Sequence, residues 1–239
     1  MWRHSAAALA CWLMATAAFG SPATLPGPLT PFEARYEVSN GTLRVGTASF
    51  KLTHSAGLWR YRSTLEARGL FALFAENPMR ETTWLQPHEG ELRPMIYRHQ
   101  EGEEVRRVVF DWSAGQAQVQ EDGERRRIPL EPASRDQLSA ILAVMVALEA
   151  GEHSVTFPGV TDDGESAPLH FERAGTESLT VAHGTYDTVR VDRQHDDDRV
   201  TSTWLAPALA WLPVRVEQRE DGELIARLNL TELTRETTN

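Results

Sequence analysis

The sequence predicts a mainly β protein, an antiparallel barrel or curled half-barrel of about a dozen strands with one apolar helix. Three observations carry this. Apolar and polar residues alternate with a period of two over many short runs, as a strand with one buried face requires. Glycine pairs punctuate those runs where hairpins need positive φ: Asn40-Gly41, Ala56-Gly57, Glu101-Gly102, Asp122-Gly123, Asp163-Gly164, His183-Gly184 and Asp221-Gly222. One segment, residues 134–151, switches to helical spacing.

Residues 1–20 join a short basic start, Arg3 and His4, to an apolar stretch from Ala6 to Phe19. This is the pattern of a secretory signal peptide cleaved before Ser21, and it is too short for a comfortable bilayer span. Cys11, the single cysteine, falls inside it, so the expected mature chain has no thiol for disulfides, zinc or catalysis. Residues 21–31 carry Pro22, Pro26, Pro28 and Pro31 and read as an extended, mobile leader. A single domain follows over 32–234, with 235–239 as a C-terminal tail. That length can bury a core without covalent staples.

Along the domain, Val108, Phe110 and Trp112 share one strand face, and Leu212, Val214 and Val216 point inward while Arg215 and Glu217 point out. Gly46 sits where the apolar parity of Leu43 and Val45 gives way to that of Phe50 and Leu52, which predicts a bulge or bend. The stretch "RGLFALFAENP", 68–78, is a short helix, a lid or a strand ended by Pro78. In "SRDQLSAILAVMVALEAG" (134–151), Leu138, Ile141, Leu142, Met145 and Leu148 recur at helical spacing. Ser134 with Gln137 makes a capping box, Asp136 lies in the first turn, and Gly151 suits the stop. Ala140, Ala143, Val144 and Ala147 fill the other sides, so this helix is apolar nearly all round and fits inside or across a barrel.

Function classes fall away by their missing signatures. With 34 acidic against 24 basic residues and a net charge of −10, the chain lacks the basic footprint of a nucleic-acid binder. No Gly-x-Ser-x-Gly elbow, dinucleotide fingerprint or phosphate loop is present, so no cofactor is expected. No histidine pair has zinc-protease spacing, and no metal centre is expected. No second apolar stretch is long enough to span a membrane. The run His195-Asp196-Asp197-Asp198 lies where a hairpin must reverse. Its consecutive aspartates alternate in direction and lack the glycine of a calcium loop, so it reads as a solvated turn with a weak cation site as the alternative. Asp136 and Ser139 read as a helix start rather than as catalytic groups.

The segments "FEARYEVSNGTLRVGTASFKL", "GLWRYRSTLEARGLFALF", "RDQLSAILAVMVAL", "HGTYDTVRV" and "TWLAPALAWLPVRVE" together resemble the bacterial domain of unknown function 3108 family from about Phe32 to Leu233. The resemblance implies an exported β-rich protein with no assigned activity, cofactor or catalytic residue. A sheet curled around an apolar helix is also similar, by analogy of fold alone, to half-barrels that carry lipids or lipoproteins across the periplasm.

Two apolar features point to a ligand. Trp204 and Trp211 bracket "LAPALA", a loop expected to present Leu205, Leu209 and an indole. With Leu70, Phe71, Leu73, Phe74 and Met145 these would line an apolar cavity, the alternative being ordinary core. The expectation is a periplasmic, non-catalytic binder or carrier of an apolar or amphipathic ligand, such as a lipid or lipoprotein. An assembly factor that binds other envelope proteins stays open as the alternative. So does an enzyme whose site gathers residues such as His54, His99, His170, Asp111 and Glu217.

Overall fold

The computed structural model describes residues 29–68, 78–161, 164–195 and 198–235. The first half of the domain is a meander of eight strands: β1 (Phe32–Asn40), β2 (Leu43–Ser55), β3 (Leu58–Ala67), β4 (Met79–His88), β5 (Glu91–Glu101), β6 (Glu104–Asp111), β7 (Gln116–Glu121) and β8 (Glu124–Pro129). A two-residue strand, β9 (Arg135–Asp136), leads into helix α1 (Gln137–Glu149). A second meander follows through β10 (Ser154–Val160), β11 (Ser166–Val181), β12 (Gly184–Gln194), β13 (Arg199–Ala206), β14 (Leu212–Glu220) and β15 (Glu223–Arg235).

All fifteen strands belong to one sheet, ordered β8 to β1, then β15 down to β9. The fold class expected from sequence is met as a half-barrel. The sheet curls but stays open, because the edge strands β8 and β9 do not pair with each other. Side chains bridge the seam instead: Arg126 on β8 pairs with Glu165, and Arg135 on β9 pairs with Glu91. Gly164 permits this approach. At φ +73° it has no side chain, and a Cβ there would lie 2.8 Å from Val119 and 2.9 Å from Arg126.

The count exceeds the expected dozen for local reasons. The β4–β5 turn places Glu89 at φ 49° and Gly90 at φ 84°, a glycine pair of the same kind as Glu101-Gly102 that the expected turns did not include. β9 is too short to show any alternation, and it pairs in parallel with Gly159 and Val160 across the helical connection. The bulge expected near Gly46 is present. Val38 faces Gly46 and Ser39 faces Arg44, leaving Val45 as the extra residue. A Cβ on Gly46 would stand 2.4 Å from the Glu66 carbonyl oxygen.

Two expectations are corrected. The helix begins at Gln137, and its N-cap is Asp136 rather than Ser134. Pairing in β9 holds Asp136 extended, and its carboxylate accepts from the Ser139 amide at 2.8 Å. The Ser134 hydroxyl accepts instead from the Glu131 amide at 3.0 Å. In β14 the inward set does not reach Val216. Trp204 faces Arg215 while Leu205 faces Pro213, so Val214 is bulged and the parity changes. Glu217, expected in water, is buried and bonded to Arg219 and Arg227 at 2.9 and 2.7 Å.

Helix α1 packs on β3, β4 and β5 on one side and on β9, β10 and β11 on the other, filling the space inside the curl. Leu138, Leu142, Val144, Met145 and Leu148 join one continuous core with residues of both meanders. Gly151, at φ +88°, stops the helix and donates its amide to the Leu148 carbonyl. Leu29, in the segment expected to be mobile, is buried in this core, and β1 starts at Phe32 as expected.

Candidate functional site

Where α1 enters the sheet, the interior is polar. Glu81 and Thr83 take the inward positions of β4, opposite His99 and Tyr97 on β5. The Tyr97 hydroxyl donates to Glu81 Oε1 at 2.6 Å, the Gln137 amide donates to the same oxygen at 2.9 Å, and the Ser63 hydroxyl donates to Oε2 at 3.1 Å. Burial by itself pushes the Glu81 carboxyl up, but hydrogen bonds from His99, Tyr97 and Gln137 outweigh it and hold the group below its ordinary value. Asp136 is shifted the other way: burial raises it, and bonds from Ser139 and Thr83 only partly offset that. The Thr83 and Ser139 hydroxyls each donate to its carboxylate at 2.8 Å. Every carboxylate oxygen here is bonded, so the cluster anchors the helix to the sheet.

A different arrangement lies along α1. Ala143, Val146, Ala147 and Ala150 stand at spacings of three and four, forming one stripe that the sheet leaves partly uncovered. Because three of the four are alanines, the stripe is low. A pocket of about 360 Å³ opens over it, closed by Leu92 on β5 and by Val155 and Phe157 on β10. Its walls are mostly apolar; Arg135 and Glu91 meet at one end, and the exposed Glu152 borders it beyond the carboxyl end of α1.

The Arg135 side chain is only 3% exposed. Its Nη1 donates to the Ser134 carbonyl at 3.1 Å, its Nη2 to Glu91, and its guanidinium lies 5.5 Å from the centre of the Phe157 ring. The Arg135 Nε is buried with no hydrogen-bond partner among the described residues. Arg135 thus brings a buried guanidinium to the end of a mostly apolar pocket.

Residues 35–229 match the family model described as a protein of unknown function, DUF3108. The chain belongs to this family. No curated protein matches the DUF3108 chain. Among solved structures it is similar to a β-barrel-like protein of domain of unknown function DUF1849 from Brucella abortus, at 11% identity and a TM-score of 0.57, covering 88% of this chain and 100% of that one. An uncharacterised conserved protein from Thermus thermophilus aligns at 11% identity and a TM-score of 0.31, over 88% of this chain and 81% of that one. A protein of YmcC-like fold, described as exported, from Bacteroides fragilis aligns at 10% and 0.33, over 88% and 98%. Of these three, the DUF1849 likeness is close enough to support an argument, and that argument concerns fold.

Of the residues expected to line a cavity in the DUF3108 chain, the described ones lie apart from the pocket over the helix. Leu70, Phe71 and Phe74, with Leu73, lie outside the described residues. Met145 and Trp204 are core, and the Trp204 indole donates to Glu177 at 2.7 Å. Leu209 and Trp211 are half-buried at the turn after β13, where the Trp211 indole bonds Glu149 at the end of α1. Leu205, expected to be presented, is fully buried. Met145, Trp204, Leu205, Leu209 and Trp211 do not line the pocket over the helix. Asp196 and Asp197 fall outside the described residues, and the His195 ring bonds Thr201 at 2.9 Å.

The residues named for a dispersed enzyme site stand on five separate strands. His54 stacks on Trp59, His99 meets Glu81, His170 bonds Thr156, Asp111 holds the turn after β6, and Glu217 pairs with arginines. Among the described residues no three metal-ligating side chains come together, and no helix is long and apolar enough to cross a membrane. Sequence reasoning missed Glu81 and Arg135. Glu81 could have been found as an acid at core parity in "ETTWL", two and four residues before Thr83 and Leu85. Nothing local marks Arg135.

Proposed function

We propose that this DUF3108 chain is an exported, periplasmic, non-catalytic binder of an amphipathic envelope ligand, a lipid or lipoprotein acyl chain. The observation that carries this reading is the apolar pocket over Ala143, Val146 and Ala147, with an arginine at one end. Its volume of about 360 Å³ falls within the range of ligand sites, roughly 300–1,000 Å³. At about 30 Å³ per water molecule it equals about a dozen waters, room for one acyl chain rather than two. Binding would be driven by apolar burial, roughly 0.8 kcal/mol per methylene, with no bond made or broken. The signal-like residues 1–20 support export.

Docking of other envelope proteins on a sheet edge has less support. The edge strand β8 carries Arg125, Arg126, Arg127 and Pro129, features that blunt strand addition.

The test is native mass spectrometry of the chain purified from a bacterial envelope, followed by solvent extraction and lipid analysis. A reproducible acyl species that disappears in Val146→Glu is the expected result. A bare chain at its calculated mass, accompanied by a stable protein partner, would replace this reading with the assembly-factor one.

A further inference from the structure

The pocket over α1 does not end at Arg135. Glu91 and Arg135 also border a second cavity of about 520 Å³, which lies between the β4–β5 turn and the β8–β9 connection. Arg93 stands in this second cavity, its guanidinium 4.6 Å from the centre of the Trp112 ring. Trp112 is fixed in turn by its indole, which donates to the Pro94 carbonyl at 2.8 Å. Arg93 makes no ion pair among the described residues, and its Nε, like that of Arg135, is buried without a hydrogen-bond partner. Two arginines therefore flank the point where an apolar pocket meets a polar one, Arg93 without an ion pair and Arg135 held only by the exposed Glu91 and the Ser134 carbonyl.

We infer that the two cavities form one site for a single-chain fatty carboxylate, with the chain over Ala143 and Val146 and the carboxylate between Arg135 and Arg93. The inference rests on the binder reading above and adds the head group to it. Both elements point to an acid. The Arg93 charge has no carboxylate partner among the described residues, and an arginine fork matches a carboxylate in shape and charge. The structure already contains an imitation of that contact, because the Glu91 carboxylate occupies Arg135 from a side chain that is 59% exposed. A ligand carboxylate would take the place of Glu91, which can turn into water at small cost. Glu89 and Glu131 also border the cavity but are exposed, where solvent and salt screen them. Arg135 is dry and acts at full strength.

The test compares binding of dodecanoate, 1-dodecanol and acetate by calorimetry on the exported chain and on two variants. Arg135 is too deeply buried for its loss to be read as binding alone, so Arg93→Gln and Glu91→Gln carry the experiment. Dodecanoate is expected to bind at least about tenfold more tightly than dodecanol, the margin of one charge-assisted contact. Arg93→Gln should shrink that preference severalfold while leaving dodecanol unchanged, Glu91→Gln should strengthen dodecanoate alone, and acetate should bind far more weakly. Equal or reversed affinities for acid and alcohol would overturn the head-group assignment and leave the apolar binder standing. Absence of binding by either long-chain probe would overturn both.

Discussion

The two ends of the helix environment obey opposite rules. Around Glu81 and Asp136 each carboxylate oxygen has a donor. Along Ala143, Val146 and Ala147 there is space, and Arg135 at its edge is paired only with the exposed Glu91. Both regions bury charge, but in one the carboxylates are enclosed by donors, and in the other a guanidinium borders a cavity. Donors packed around a carboxylate hold a structure together, whereas a charge beside a void leaves room for a ligand.

The largest effect expected from this contrast is at Glu81. Glu81→Ala strands the Tyr97, Gln137 and Ser63 donors and should lower stability by about 3 kcal/mol or more, read from the urea midpoint. A loss below about 1 kcal/mol would mean that the network does not anchor the helix. Next come paired substitutions on α1. Ala140 is fully buried against the core, so Ala140→Leu should cost roughly 1–3 kcal/mol. Ala143→Leu fills the pocket instead and should leave stability within about 0.5 kcal/mol or raise it, while abolishing dodecanoate binding. Equal penalties for the two would erase the distinction between the faces.

Asp136→Ala removes the helix cap and should cost about 1–2 kcal/mol, most of it restored by Asp136→Asn. The smallest effect is in the pH profile, where the two carboxyls act in opposite directions. Glu81 lies below its ordinary 4.5, so its contribution is present above that pH and is lost as acid takes the medium through the lower folded value. Glu81→Gln should flatten this acid limb of the stability curve. Asp136 lies above its ordinary 3.8, so its stabilising share is present below that pH and is lost as pH rises through the higher folded value. Asp136→Asn should therefore gain on the parent protein between pH 4 and neutrality, measured by thermal melts at each pH.

Much of the architecture was legible because it is local. Alternation revealed the strands, paired glycines the hairpins, Gly46 its bulge, and helical spacing the one long helix. What stayed hidden depends on distant neighbours. Whether a curled sheet closes is decided where its edges meet, and the parity change at Val214 arises from pairing with β13, which no window of sequence contains. The site was hidden for the same reason. An apolar helix announces burial, but which of its stripes the sheet leaves open is set by β5 and β10. Aromatic loops drew attention instead, and Trp204 and Trp211 proved to be structural posts bonded to Glu177 and Glu149.

The strand order carries a consequence in time. β1 pairs with β15 from Phe32 opposite Arg235 to Ser39 opposite Arg227, so the first strand of the domain waits for the last. Each meander can zip hairpin by hairpin, but the joint between them closes only when nearly the whole domain is present. For a chain made amino end first, that interval leaves the edge of β1 without a neighbour. Its alternate positions, Glu33, Arg35 and Glu37, carry the charges that keep such an edge from finding the wrong one.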